Sequence, residues 1–143
     1  MKEISLQMID KNVSSDWWKK LIMHFIHVGD KLEIRCWKEE QSEIHQASMY
    51  GDLMEEYNEI SIKGIVSKDF ISELLKENPK DKHIYNKMTK YFTINIEHEH
   101  YRFCSAHYGT EIYLIGVSDE DVTFFQDAIQ NYTEEDFVIH ISE

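Results

Sequence analysis

Between Lys90 and Ser118 the chain reads "KYFTINIEHEHYRFCSAHYGTEIYLIGVS", three successive runs in which apolar and polar residues alternate. A period of two sends neighbouring side chains to opposite faces of a strand. Three such runs joined by short polar turns predict a meander, and a meander is antiparallel. Phe92, Ile94, Ile96 and His98 share parity, so His98 ends a core-facing row, and a sharp turn is expected at "EHEH".

The rest of the chain switches between that period and the helical one. "EISLQMI" alternates Ile4, Leu6 and Met8 against polar residues. "KLEIRCW" sets Leu32, Ile34 and Cys36 on one face and Glu33, Arg35 and Trp37 on the other. "NEISIKGIVS" aligns Ile60, Ile62, Gly64 and Val66, and "DFVIHIS" aligns Phe137, Ile139 and Ile141. Three stretches are helical. In "SSDWWKKLIMHFIHVG", Ser14 or Ser15 is the expected cap, Trp18, Leu21, Ile22 and Phe25 the buried stripe, and Gly29 the C′ residue. Trp17 and Trp18 project about 100° apart, so one is expected in the core and the other at a helix edge or on a recognition surface. In "SKDFISELLKENP", Ser67 caps, Phe70, Ile71, Leu74 and Leu75 face inward, and Asn78-Pro79 stops the helix. "KDKHIYNKM" leads onward with room for a turn of helix. In "SDEDVTFFQDAIQNY", Ser118 and Asp121 have capping-box spacing, and Val122, Phe125, Ala128 and Ile129 face the core. Residues 38–57 read equally as strand and turn or as short helix. The expected architecture is α+β: a mostly antiparallel sheet of about six strands, ending in meander, helix and strand, with about three helices packed on it. The 143 residues fit one domain, 1–143.

The meander concentrates His98, His100, Cys104 and His107. Zinc requires three or four converging ligands, and H-x-H followed by C-x-x-H fits no strong template. A structural hairpin is the expectation, with no metal and no cofactor. Cys104 beside His107 does not make a catalytic pair without an activated thiolate. The chain lacks G-x-S-x-G, a Gly-rich phosphate loop and H-E-x-x-H, so no enzyme is expected. Cys36 and Cys104 sit in apolar contexts without C-x-x-C, which predicts buried free thiols. The first residues have no apolar signal core, and "LIMHFIHV" is too short to cross a bilayer. These readings place the protein in the cytoplasm.

The charge is unevenly spread. The net is -12, and Arg102 is the last Lys or Arg. Nine acids follow it; before that point 18 acids face 15 bases, a net of -3. Phosphates and anionic membranes are repelled by such a surface; it reads either as an ordinary solvated face or as one that attracts a basic protein, which is the expected partner. "SDED" begins a helix, where the dipole favours acids anyway; "TEEDF" has no such local reason. The expected partner-binding residues are Glu111, Tyr113, Asp119, Glu120, Asp121, Tyr132, Glu134, Glu135 and Asp136.

In size, charge, its "SDED…TEEDF" acidic end and its aromatics, the chain resembles the immunity proteins that bacteria make against their own polymorphic or contact-dependent toxins. The resemblance implies inhibition by tight binding to a cognate toxin domain, often a basic nuclease. Two other readings stay open: a small-molecule-binding or enzymatic α+β domain with a pocket between sheet and helices lined by histidines and tyrosines, and a structural adaptor with no toxin.

Overall fold

A computed structural model describes residues 1–9, 14–78 and 87–143. The expected stop at Pro79 and most of the 80–88 connector lie outside the described residues. The elements in chain order are β1 (Lys2–Met8), α1 (Asp16–Phe25), β2 (Lys31–Trp37), α2 (Gln41–Ala47), a single 3₁₀ turn (Ser48–Tyr50), β3 (Gly51–Glu56), β4 (Glu59–Ile65), α3 (Lys68–Lys76), β5 (Thr93–Glu97), β6 (Arg102–Ala106), β7 (Glu111–Val117), α4 (Asp119–Ala128) and β8 (Phe137–Ser142). The fold is α+β as the alternation predicts, but among the described residues the sheet has eight strands where about six were expected, and there are four α-helices where about three were. The undecided stretch 38–57 makes the difference to the helix count and part of that to the strand count, because it holds both α2 and β3. "QSEIHQA" buries only Ile44 and Ala47, and "GDLMEE" has no buried residue. Neither leaves a strong periodic signal.

The strand order is β3-β4-β2-β5-β6-β7-β1-β8, and every pairing is antiparallel. The register aligns the inward residues of the central strands: Ile62, Ile34, Ile94, Ser105, Ile112, Leu6 and Ile139 lie side by side. On this face the helices contribute Trp17, Trp18, Leu21, Ile22 and Phe25 from α1, Ile44 and Ala47 from α2, Phe70 and Leu74 from α3, and Val122, Phe125 and Ala128 from α4. Among the described residues no helix covers the other face, an arrangement that antiparallel sheets tolerate.

Both tryptophans of α1 are fully buried, which corrects the expectation of one. α1 lies between α3 and α4, so two adjacent angular positions face protein. Trp18 Nε1 donates to Ser105 Oγ on β6 at 3.1 Å, while Trp17 packs edge-on against Phe137 of β8. Gly29 is not the C′ residue of α1. The helix is capped at Ile26, and Gly29 takes φ +97° in the turn into β2. Gly64 is required by a close approach: a Cβ there would lie 2.0 Å from the Tyr50 carbonyl oxygen. The capping box of α4 forms as expected, with the Ser118 hydroxyl accepting from the Asp121 N–H and the Asp121 carboxylate accepting from the Ser118 N–H.

Candidate functional site

The uncovered sheet face is ordered by the same register in cross-strand rows. One row runs Ile65, Lys31, Glu97, Arg102, Ile115, Glu3. The next runs Asp52, Lys63, Glu33, Asn95, Cys104, Tyr113, Ser5, His140. A groove of about 700 Å³ follows these two rows across β4, β2, β5, β6 and β7. Lys31, Lys63 and Arg102 line it, and among the described residues no ion pair reaches any of the three. The groove contains one tyrosine, Tyr113, and no histidine. It differs in both place and lining from a His/Tyr pocket between sheet and helices.

Next to the groove stands a polar cluster centred on Arg35. Its guanidinium meets Glu33 at 3.1 Å, Glu56 at 2.9 Å and Glu59 at 3.0 Å. Glu33 also accepts from Asn95 at 3.0 Å and from the Ser61 hydroxyl. Burial pushes the Glu33 carboxyl up, but the Ser61 and Asn95 hydrogen bonds and the Arg35 charge outweigh it and hold the group below its ordinary range. The period-two pattern placed Glu33 and Arg35 on one face. It gave no sign of Glu56, Glu59, Ser61 or Asn95, because those come from other strands.

A second polar centre lies on the helix side. Glu73 of α3 accepts from Tyr50 at 2.8 Å, Tyr91 at 2.6 Å and Gln46 at 2.7 Å. It ties α2 and the 3₁₀ turn to α3. Both phenols are raised by burial and by the Glu73 carboxylate.

The histidine-rich meander separates its own residues. His98 ends the inward row, with Nδ1 2.8 Å from Asp30 and its ring stacked on Tyr101 at 4.4 Å. Its N–H donates to the Tyr101 carbonyl and closes the hairpin. His100 is exposed, 3.9 Å from Glu99. His107 stands in the β6–β7 turn, 2.9 Å from Glu111. In that turn His107, Tyr108 and Gly109 take φ +49°, +61° and +85°. Cys104 faces the groove. Among the described residues no three His, Cys, Asp or Glu converge in metal-binding geometry. Both cysteines are free: Cys36 is buried under the helices as expected, whereas Cys104 is only half-buried, because its strand parity turns it to the uncovered face.

The acidic residues divide into two groups. Val117 pairs with Lys2 at one end of β1, and Phe137 pairs with Met8 at the other. Asp119, Glu120 and Asp121 follow Val117, while Glu134, Glu135 and Asp136 precede Phe137. The groups therefore sit at opposite ends of β1, about 20 Å apart at about 3.3 Å per residue. Within the first group, Asp119 pairs with Lys2 at 3.4 Å, and Asp121 holds the α4 cap and lies 3.0 Å from His24. Burial raises Asp121, but the His24 and Ser118 hydrogen bonds prevail and lower it. In the second group, Asp136 accepts from the Thr133 N–H at 2.9 Å, and Glu134 and Glu135 point into solvent. Tyr132 is half-buried against Phe137, its hydroxyl 3.3 Å from Ser14. Glu111 and Tyr113 share the uncovered face, Glu111 opposite Gln7 near the Phe137 end and Tyr113 opposite Ser5 at the middle of β1, and the Tyr113 hydroxyl donates to Glu111 at 2.9 Å. Sequence reasoning missed Ile115 and Val138, which are 49% and 41% exposed on that same face; their strand parity was the available signal.

Among the described residues no helix is long and apolar enough to cross a membrane. No protein-family model, curated protein or solved structure matches the chain.

Proposed function

We propose that this protein is an inhibitor of the immunity class, which neutralises a basic toxin domain of nuclease type by tight binding on the uncovered face of its sheet. The observation that carries the reading is an apolar patch inside an acidic margin on the β7–β1–β8 half of that face. Tyr113, Ile115 and Val138 are exposed there. Glu3 and Glu111 stand in the same rows, Glu134 and Glu135 lie at the Glu111 end, and no Lys or Arg follows Arg102. Acids around a contact steer a basic partner and raise the association rate. Desolvated aromatic and apolar anchors then set the dissociation rate.

The groove supports a second reading, a small-molecule site. Its unpaired Lys31, Lys63 and Arg102 suit an anionic ligand. A basic protein and a small anion make opposite demands on these side chains, so one experiment separates the readings. The chain is co-expressed with the product of the gene immediately upstream, where a basic toxin domain is expected, and growth and binding kinetics are measured. Protection from toxicity is expected, with Tyr113→Ala speeding dissociation by at least about 30-fold, as for an anchor worth about 2 kcal/mol, and Arg102→Ala changing little. A neighbouring domain that is neither bound nor neutralised removes the inhibitor reading. A loss of small-anion binding in Arg102→Ala supports the second.

A further inference from the structure

β3 and β8 are the two edges of the sheet. An edge presents unpaired N–H and C=O groups, and proteins commonly blunt it with charge, proline or a bulge. β3, "GDLMEE", carries Asp52, Glu55 and Glu56. β8, "FVIHIS", contains no Lys, Arg, Asp, Glu or Pro. Its pairing to β1 runs without a bulge from Glu3 opposite Ser142 to Met8 opposite Phe137.

The hydrogen bonds identify which β8 groups are free. Ile9 N–H donates to the Asp136 carbonyl at 2.7 Å, so Asp136 is turned towards the β1 side. Met8 N–H points the other way, donating to the Thr110 carbonyl at 2.8 Å. The N–H and C=O of a strand residue point to the same side, and the side alternates along the chain. Val138, His140 and Ser142 therefore bond β1, while Phe137, Ile139 and Ile141 point outward. The Phe137 N–H is already used, donating to the Thr133 carbonyl at 3.3 Å. That leaves the C=O of Phe137 and the N–H and C=O of Ile139 and Ile141, five groups with no partner in the sheet.

We propose that β8 pairs antiparallel with β8 of a second copy of this chain, about a two-fold axis through His140, joining two sheets edge to edge. In this register Ile139 of each copy faces Ile141 of the other. Each pair exchanges two hydrogen bonds, and the N–H and C=O of Ile139 and Ile141 are all satisfied on each edge. A two-fold axis through Ile139 instead sets Ile141 against Phe137, whose N–H is occupied, and leaves the Ile141 C=O of each copy unpaired. The axis through His140 also brings Ile139 and Ile141 into contact on the helix side and covers Ile141, which is 38% exposed. The charges of β3 would face their own copies in a similar pairing at the other edge, which excludes it there. The contact is isologous and closed, so it stops at a dimer.

Sedimentation velocity of the full chain from micromolar to millimolar concentration tests the proposal, and a monomer–dimer equilibrium is expected. Ile141→Pro deletes one outward N–H and leaves the β1 ladder intact, since proline is tolerated where an edge N–H faces solvent. It should abolish the dimer while retaining the circular dichroism of the parent. The register is read separately, in a Cys104→Ser background. The two His140 residues form a non-hydrogen-bonded pair with Cα atoms about 4.5 Å apart, within disulfide range. His140→Cys should therefore cross-link two chains on mild oxidation, and Val138→Cys, which faces Ser142, should not. This cross-link decides the matter even if Ile141→Pro fails to fold. A chain that stays monomeric throughout overturns the proposal. So does a dimer that survives a folded Ile141→Pro, or one that cross-links through Val138→Cys and not through His140→Cys.

Discussion

Ser105 is a small polar residue at the centre of the core, and its position is explained by Trp18. An indole N–H buried without a partner costs about 1–3 kcal/mol, and the Ser105 hydroxyl is the acceptor that prevents this. Ser105→Ala is expected to lower the unfolding free energy by about that amount in urea titration, although it removes a single oxygen. The cysteines are expected to differ in kind from each other. Burial, then the Glu40 and Glu43 charges, push the Cys36 thiol up to about 12; burial, then Glu111 and Glu33, push Cys104 up to about 11. Thiolate is the reactive form, so both should react with Ellman's reagent at pH 8 far more slowly than free cysteine, with Cys104 the faster. Unfolding without reductant should release two thiols. Equal native rates would contradict the opposite-face placement.

The α4 N-terminus shows how a local motif becomes a tertiary joint. Ser118 and Asp121 cap each other, and the same carboxylate reaches His24 on α1. Ser118→Ala is expected to cost about 1 kcal/mol. The pH dependence follows from Asp121 and Glu33, whose folded pKa values both lie below the unfolded ones. The unfolded chain therefore binds protons more readily, and stability declines as pH falls. The contribution is complete above the ordinary carboxylate range of about 4 and is lost as pH drops through the lowered folded values. Asp121→Asn should flatten the acid limb of stability against pH while leaving a residual slope from Glu33. An unchanged limb would remove Asp121 from the linkage.

At the scale of the molecule, the acids at 119–121 and those at 134–136 form two separate groups. β1 holds them at opposite ends of the sheet, beyond a Debye length of about 8 Å at physiological salt. Only the group at the Phe137 end shares an end with Glu111 and exposed Val138, both opposite Gln7. With a basic partner in hand, Glu134→Gln/Glu135→Gln should slow association at low salt more than Asp119→Asn/Glu120→Gln does. Both should leave dissociation nearly unchanged, and their effects should add within about 0.5 kcal/mol, as for distant sites. Equal effects from the two pairs would indicate a long-range field in place of a local margin.

What was legible in the sequence was whatever a residue's own neighbours decide. Alternation identified seven of the eight strands among the described residues and the inward sides of β1, β2 and β4; i, i+3, i+4 spacing identified α1, α3 and α4; Ser118 and Asp121 announced their cap. All of these depend on contacts a few residues apart. α2 and β3 stayed hidden because each is short and leaves too few buried positions to mark a period. The tertiary structure alone decided the strand order, the burial of both tryptophans, the assembly of Glu33, Glu56, Glu59, Ser61 and Asn95 around Arg35, and the division of the acids. Each depends on which strands and helices lie side by side, a contact between residues tens of positions apart. The helices settle which face of the sheet stays uncovered, and they do so only by packing together on the other.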